Sequence, residues 1–197
     1  IKYCNDLGYK IKLLGNSLVL NNNNGEEELC CSVEPWLIPH SYGLANVTGV
    51  TNAVQIESSL AGPVMITGAG AGGEPTASAV LADIVDFANG TKLYPFGRKA
   101  KNLKNNFKSI GYKDKLRFYL RLNVVDKSGV LADLTSIFKD HDLSIESFIQ
   151  RLNQEDKTAD LIIITHEANN LVLDKALQSI IKLDGVIKEP VCLSIYS

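Results

Sequence analysis

The chain has 197 residues, 45% of them hydrophobic and 21% charged, with a formal net charge of −2. That length suits one large or two small domains of ordinary globular composition. The near-neutral balance gives no basic field for nucleic acid, no apolar run is long enough to span a bilayer and no signal peptide is evident. The expected setting is therefore cytoplasmic, with neither nucleic acid nor membrane as a partner.

The four cysteines carry no metal or disulfide signal. Cys30 and Cys31 are adjacent, while Cys4 and Cys192 stand far from them. Neighbours on a strand point to opposite faces, and no C-x-x-C spacing occurs. His40, His141 and His166 are scattered, so no metal site is expected.

Residues Ile1 to Leu7 read as the last turns of a helix, with Gly8 as its C-terminal cap. Starting mid-helix, with Met65 its single methionine, the chain reads as the back part of something larger. Tyr9 to Gly15 and Ser17 to Leu20 read as strand, and Asn21-Asn-Asn-Asn-Gly25 as a hairpin tip ending in the Asn-Gly pair that tolerates positive φ. The return strand runs through Leu29 to Glu34 towards Pro35-Trp36. Val50 to Glu57 alternates as a strand, and Pro63 to Thr67 forms another. These strands predict an antiparallel meander closed by one helix, or half of a sheet completed elsewhere.

Gly68-Ala-Gly-Ala-Gly-Gly-Glu-Pro-Thr76 follows the last of these strands. From Ala77 the apolar positions Val80, Leu81, Ile84, Val85 and Ala88 give the stripe of a helix packed on one face, stopped at Asn89-Gly90. The unit is strand, glycine loop, helix. Bare backbone amides in the loop and the positive end of the helix suit close approach to a ligand; a purely structural tight turn is the alternative. Gly68, Gly70 and Gly73 match G-x-G-x-x-G literally. However, the Thr91 to Lys99 stretch that follows contains Pro95 and no core strand, and several strands come earlier, which argues against a dinucleotide fingerprint.

Residues 99–115 are rich in lysine and asparagine, with Leu103, Phe107 and Ile110 alone as large aliphatic or phenyl groups, and read as a linker. Beyond it Phe118, Leu120, Leu122 and Val124 alternate with polar or aromatic neighbours as a half-buried strand. A helix carrying Val130, Leu131, Leu134, Ile137 and Phe138 follows. Strands about Leu143 to Arg151 and Ala159 to His166 come next, then a helix capped by Asn169 or Asn170, then a strand at Val191 to Ile195. The order βαββαβ is the split-βαβ, ferredoxin-like sandwich, with one sheet face under two helices and the other solvated or covered by a partner.

The turn from Asp126 to Leu131 sets free amides at a helix N-terminus beside a carboxylate at a strand end. That suits a zwitterion, amides for its carboxylate and Asp126 for its ammonium. A plain turn capped by Asp126 or Ser128 is the competing reading.

Asp126-Lys-Ser-Gly-Val-Leu131, with Ile137-Phe138 and Leu143-Ser-Ile145, resembles an ACT domain, the amino-acid-sensing module of metabolic enzymes. Leu7 to Gly15, Pro35 to Pro39, Leu44-Ala45 through Gly49-Val50 to Asn52-Ala53, and above all Gly68 to Ser78 followed by Asp83, resemble the C-terminal section of homoserine dehydrogenase. The implied fold is α+β: a partial mixed or antiparallel sheet with a helix over residues 1–98, a linker over 99–115, and a ferredoxin-like ACT domain over 116–197. The resemblance implies NAD(P)-dependent interconversion of aspartate semialdehyde and homoserine, on the route to threonine and methionine. It also implies a nucleotide-binding domain and catalytic lysine and aspartate not contained in this chain. Accordingly no catalytic residue is assigned and no bound cofactor is expected for the chain alone, which should be inactive.

Gly70, Gly72 and Thr76 are the implied contacts to the nicotinamide end of the cofactor. Asp126, Gly129, Val130 and Leu131 of one subunit, with Ser144 of another, are the implied effector contacts. Threonine is the expected effector, and a homodimer or higher homo-oligomer through sheet or ACT interfaces the expected assembly. The alternative is an ACT domain that pairs subunits without binding a ligand. Ser128 stands where many ACT turns carry proline, and Tyr42-Gly43 replaces the family's usual His-Pro.

Overall fold

The computed structural model describes residues 1–22, 24–91, 94–104, 107–110 and 115–196. These form two compact units, Ile1–His40 with Lys108–Ser197, and Ser41–Phe107.

In the first unit the short helix α1 (Lys2–Asp6) leads into β1 (Tyr9–Asn21) and β2 (Glu27–Pro39), antiparallel partners throughout. Both strands run longer than their sequence patterns suggest, through Gly15 and through Pro35. Asn22 organises the tip, its Oδ1 accepting from the Asn24 and Glu26 amides at 2.9 Å, while Gly25 takes a φ of +78°. The part of the expected tip at Asn23 lies outside the described residues.

The rest of the unit is β6 (Arg117–Val125), α3 (Val130–Asp140), β7 (Ile145–Asn153), β8 (Thr158–Thr165), α4 (Asn170–Ile180) and β9 (Val191–Ile195), the βαββαβ order read from the sequence. Its strands lie in the order β9-β6-β8-β7, every neighbouring pair antiparallel. Asn169 caps α4, its side chain accepting from the Leu171 amide at 2.8 Å.

The expected meander does not form. β2 pairs in parallel with β9, placing Trp36 opposite Ser194, so the N-terminal hairpin extends the ferredoxin-like sheet to β1-β2-β9-β6-β8-β7. β2 also takes β5 (Lys108–Ile110) in parallel along Glu28 to Cys30. Pro35 falls between these two partners on that edge, where a missing N–H is tolerated. Part of the expected linker is therefore sheet, anchored by the Lys108–Glu28 ion pair at 3.9 Å; positions 105–106 and 111–114 of it lie outside the described residues.

Register divides the core into two faces. Leu120 opposes Ile163 and Leu122 opposes Leu161, all buried, on the side of α3 and α4, which bury Leu134, Phe138, Leu173, Ala176 and Ile180. The other face is covered in part by the chain itself. Tyr119, Ile162, Ile164 and Ile195 pack there with Leu37 and with Cys4 of α1, flanked by Tyr3, Leu7 and Tyr9. An Arg117–Glu146 pair closes this side at one end, with two guanidinium bonds of 2.6 and 2.7 Å.

The second unit holds β3 (Thr51–Ser58) and β4 (Gly62–Ala69), an isolated antiparallel hairpin, and α2 (Gly73–Ala88). The apolar stripe of α2 is where the sequence places it, but the helix buries no residue; Leu81 is 60% and Ile84 57% exposed. Within this chain, then, the helix that the sequence predicts to be packed on one face has that face uncovered.

Candidate cofactor loop and effector turn

The glycine loop begins where the β3–β4 hairpin ends, with the Gly70 amide donating to the Val50 carbonyl at 2.7 Å. At Gly70 a Cβ would overlap the Asn52 carboxamide as it stands. Gly72 adopts φ +133° and is the N-cap of α2, which has no side-chain cap bond. Thr76 belongs to the same turn, its Oγ1 donating to the Gly72 carbonyl at 2.7 Å. The structure thus brings Gly70, Gly72 and Thr76 together in one bare-backbone turn, and Asn52 is the close neighbour that sequence spacing did not reveal. Such a cradle fits a group that needs close backbone approach and a helix N-terminus.

At the end of β6 the second turn is exposed. The Asp126 amide donates to the Lys157 carbonyl at 3.0 Å, which ties the turn to the head of β8. Gly129, at φ +99°, is the N-cap of α3 and no side chain caps it. Neither Asp126 nor Ser128 therefore acts as the cap that the plainer sequence reading requires, and the first amides of α3 at Val130 and Leu131 have no side-chain acceptor. Ser144 stands just before β7, exposed, with its carbonyl accepting from His166 at 2.9 Å. It lies apart from the turn in sequence, and its expected role belongs to a second subunit.

A cleft of about 580 Å³ lies beside this turn, lined by Lys127, Ser128 and Val130 and by Lys182, Asp184 and Gly185. Gly185 is required by proximity, since a Cβ there would come 2.7 Å from Val130 Cγ2. The sequence marked Asp184-Gly185 only as a helix stop; the wall it builds depends on how α4 returns to the sheet. A second, polar cleft of about 480 Å³ lies on the α1 side, with Arg121, Asn123, Asp160, Lys188 and Glu189 among its walls. Among the described residues no group of three or more His, Cys, Asp or Glu side chains is placed to hold a metal, and no helix is long and apolar enough to cross a membrane.

Burial sorts the thiols. Cys192 is pushed up to about 12 from its ordinary 9.0, first by burial and then by Asp174 and Glu34, whereas Cys31 is exposed. Thiol-reactive probes at pH 8 should modify Cys31 and leave Cys192 intact in the folded chain, as peptide mapping would read. The unfolded Cys192 ionises near its ordinary value while the folded one stays protonated. Its contribution to stability is therefore whole below about pH 9 and is lost as pH climbs towards 12.

Two family models match the chain: homoserine dehydrogenase over residues 1–85 and the ACT domain over 118–185. Homoserine dehydrogenases from Neisseria gonorrhoeae and Corynebacterium glutamicum are 36% and 33% identical, each aligned over 95% of this chain and over 43% and 42% of their own lengths. The crystal structure of a homoserine dehydrogenase from Thiobacillus denitrificans superposes over 100% of this chain and 44% of its own, with a TM-score of 0.82 at 33% identity. Along nearly all of its length the chain matches homoserine dehydrogenases. It spans less than half the length of these relatives. The homoserine dehydrogenase match takes in α1, the β1–β2 hairpin and the glycine loop; the ACT match takes in the turn at Asp126 and strands β6, β7 and β8. A homoserine dehydrogenase from S. aureus gives the same coverage with a TM-score of 0.59 at 26% identity.

Proposed function

We propose that this chain is the C-terminal, regulatory part of a homoserine dehydrogenase, in which the glycine loop walls a nicotinamide cofactor site and the ACT turn senses threonine. The observation that carries this reading is the pairing of both family matches in one chain, with each match supplying an open helix N-terminus, at Gly72 and at Gly129. NAD(P)H, when bound in the intact enzyme, supplies the hydride that interconverts aspartate semialdehyde and homoserine. This chain's part is to bind and to orient. Gly70 and Gly72 keep the loop free of side chains, the Gly70 amide is bonded to the Val50 carbonyl, and the Thr76 bond to Gly72 holds the turn in shape. The acid and base of the reaction lie outside it, so the chain alone is inactive: mixed with aspartate semialdehyde and NADPH it leaves the absorbance of the reduced cofactor unchanged.

At the ACT turn the amides of Gly129, Val130 and Leu131 would receive the threonine carboxylate and Asp126 its ammonium, with Ser144 contributed by a second subunit. Titration calorimetry of the chain with L-threonine is expected to show saturable heat in the millimolar range. Asp126→Ala removes a charge-assisted bond and is expected to weaken binding about tenfold or more. A wild-type titration without heat would remove the effector reading. One observation favours a second reading, a ligand-free pairing module. β7 is the outer strand of the sheet and exposes Phe148 and Leu152, at 36% and 59%. Sedimentation with and without threonine separates the two: a dimer indifferent to threonine supports pairing alone.

A further inference from the structure

We infer that α1 is the element through which the ACT sheet and the homoserine dehydrogenase segment feel each other, by way of a Tyr3–Asp160 hydrogen bond on the sheet face opposite the ACT helices. The inference rests on the effector reading above and adds to it the route by which occupancy of the turn leaves the ACT fold.

A regulatory domain joined to its enzyme only by a lysine-rich connection would have no mechanical hold on it. Here the hold is elsewhere. α1 and the β1–β2 hairpin fall in the homoserine dehydrogenase match, yet the hairpin extends the ACT sheet and α1 packs on its face. Cys4 is 3% exposed against Tyr119, itself 3% exposed, within the cluster formed by Ile162, Ile164 and Ile195. Burial first, and then Cys4, hold the Tyr119 phenol well above its ordinary range, so it stays neutral in this contact. Beside it Tyr3 Oη donates to Asp160 Oδ2 at 3.0 Å, and Asn123 Nδ2 fills the other carboxylate oxygen at 3.0 Å. Asp160 is thus held from the sheet and from α1 at once, one oxygen to each.

The effector turn meets the same strand. The Asp126 amide donates to the Lys157 carbonyl, at the tight corner where Lys157 takes φ +52°. Three residues later on β8 comes Asp160, opposite Asn123 in the register. A ligand that engages Asp126 therefore bears, through the Asp126 amide, on Lys157, three residues along the chain from the carboxylate bonded to Tyr3. Both ends belong to one hydrogen-bonded pair of strands, so a shift of the turn changes the seat of α1. Coupling of this kind is reciprocal: loosening α1 must alter threonine affinity by the same factor that threonine alters the docking of α1.

The test uses the full chain, L-threonine as probe, calorimetry for affinity and amide exchange over residues 2–8 for the docking of α1. In wild type, threonine is expected to change exchange across α1 several-fold. Tyr3→Phe keeps the ring and removes only the donor. It should shift threonine affinity about fivefold and abolish most of the exchange response. Asp160→Asn keeps one oxygen to accept from Tyr3 and presents an NH2 to Asn123, whose carboxamide turns to accept from it, and should stay near wild type. Threonine binding with unmoved α1 exchange, or with affinity untouched in Tyr3→Phe, overturns this coupling and leaves the effector reading standing. Absence of threonine binding in wild type sinks the effector reading, and the coupling with it.

Discussion

Phe138→Ala is expected to lower the unfolding free energy of the first unit by about 3–5 kcal/mol, the largest effect of any single truncation discussed. Phe138 is 2% exposed on α3 and sits on the face where Leu120, Leu122, Leu161 and Ile163 meet the two helices. Removing the ring deletes its transfer free energy and leaves a cavity that a sheet pinned by β8 on one side and β9 on the other cannot close. Small domains are stable by about 5–15 kcal/mol, so this loss is a large share of the total. Because β2 shares the sheet with β9, the damage should not stop at the ACT segment. Chemical denaturation followed by Trp36 fluorescence, from the homoserine dehydrogenase segment, should report the same shifted midpoint as far-ultraviolet circular dichroism. Separate midpoints for the two probes would mean that the hairpin and the ACT strands unfold independently, contrary to the single sheet described.

Gly70→Ala should cost about 1 kcal/mol in the second unit, the low end of the range for forcing an extra methyl into occupied space. The added Cβ overlaps the Asn52 carboxamide, and because the Gly70 amide is bonded to Val50 it is the exposed Asn52 side chain that must turn aside. The expected result is local: faster amide exchange over 68–76 and around Asn52, with the first unit unchanged. Asn52→Ala in the same chain should restore most of the loss, since it vacates the space the new methyl needs. A double variant no better than Gly70→Ala alone would show that the glycine answers to backbone conformation rather than to its neighbour. The comparison matters for function, because the loop is the proposed cofactor wall and its bare backbone has two separate causes: Asn52 at Gly70, and a φ of +133° at Gly72.

Much of this protein is written in short-range signals. The alternation from Phe118 to Val124, the helical stripes of α3 and α4, the Asn169 cap and the Asn-Gly hairpin tip each depend on residues within one or two turns of chain. Periodicity and side-chain chemistry fix such features locally. The glycine loop and the Asp126 turn were legible for the same reason, since an unusual run of glycines or a carboxylate at a strand end stands out in sequence. The tertiary structure alone decided where faces and edges meet. It placed β2 against β9, Lys108 to Ile110 against Glu28 to Cys30, α1 over Tyr119, and Asn52 over Gly70. It also left the stripe of α2 uncovered, although the pattern alone promised a packed helix. Strand pairing and face burial join residues tens to more than a hundred positions apart. Their selection depends on the summed burial and hydrogen bonding of the whole sheet, which no local window of sequence contains.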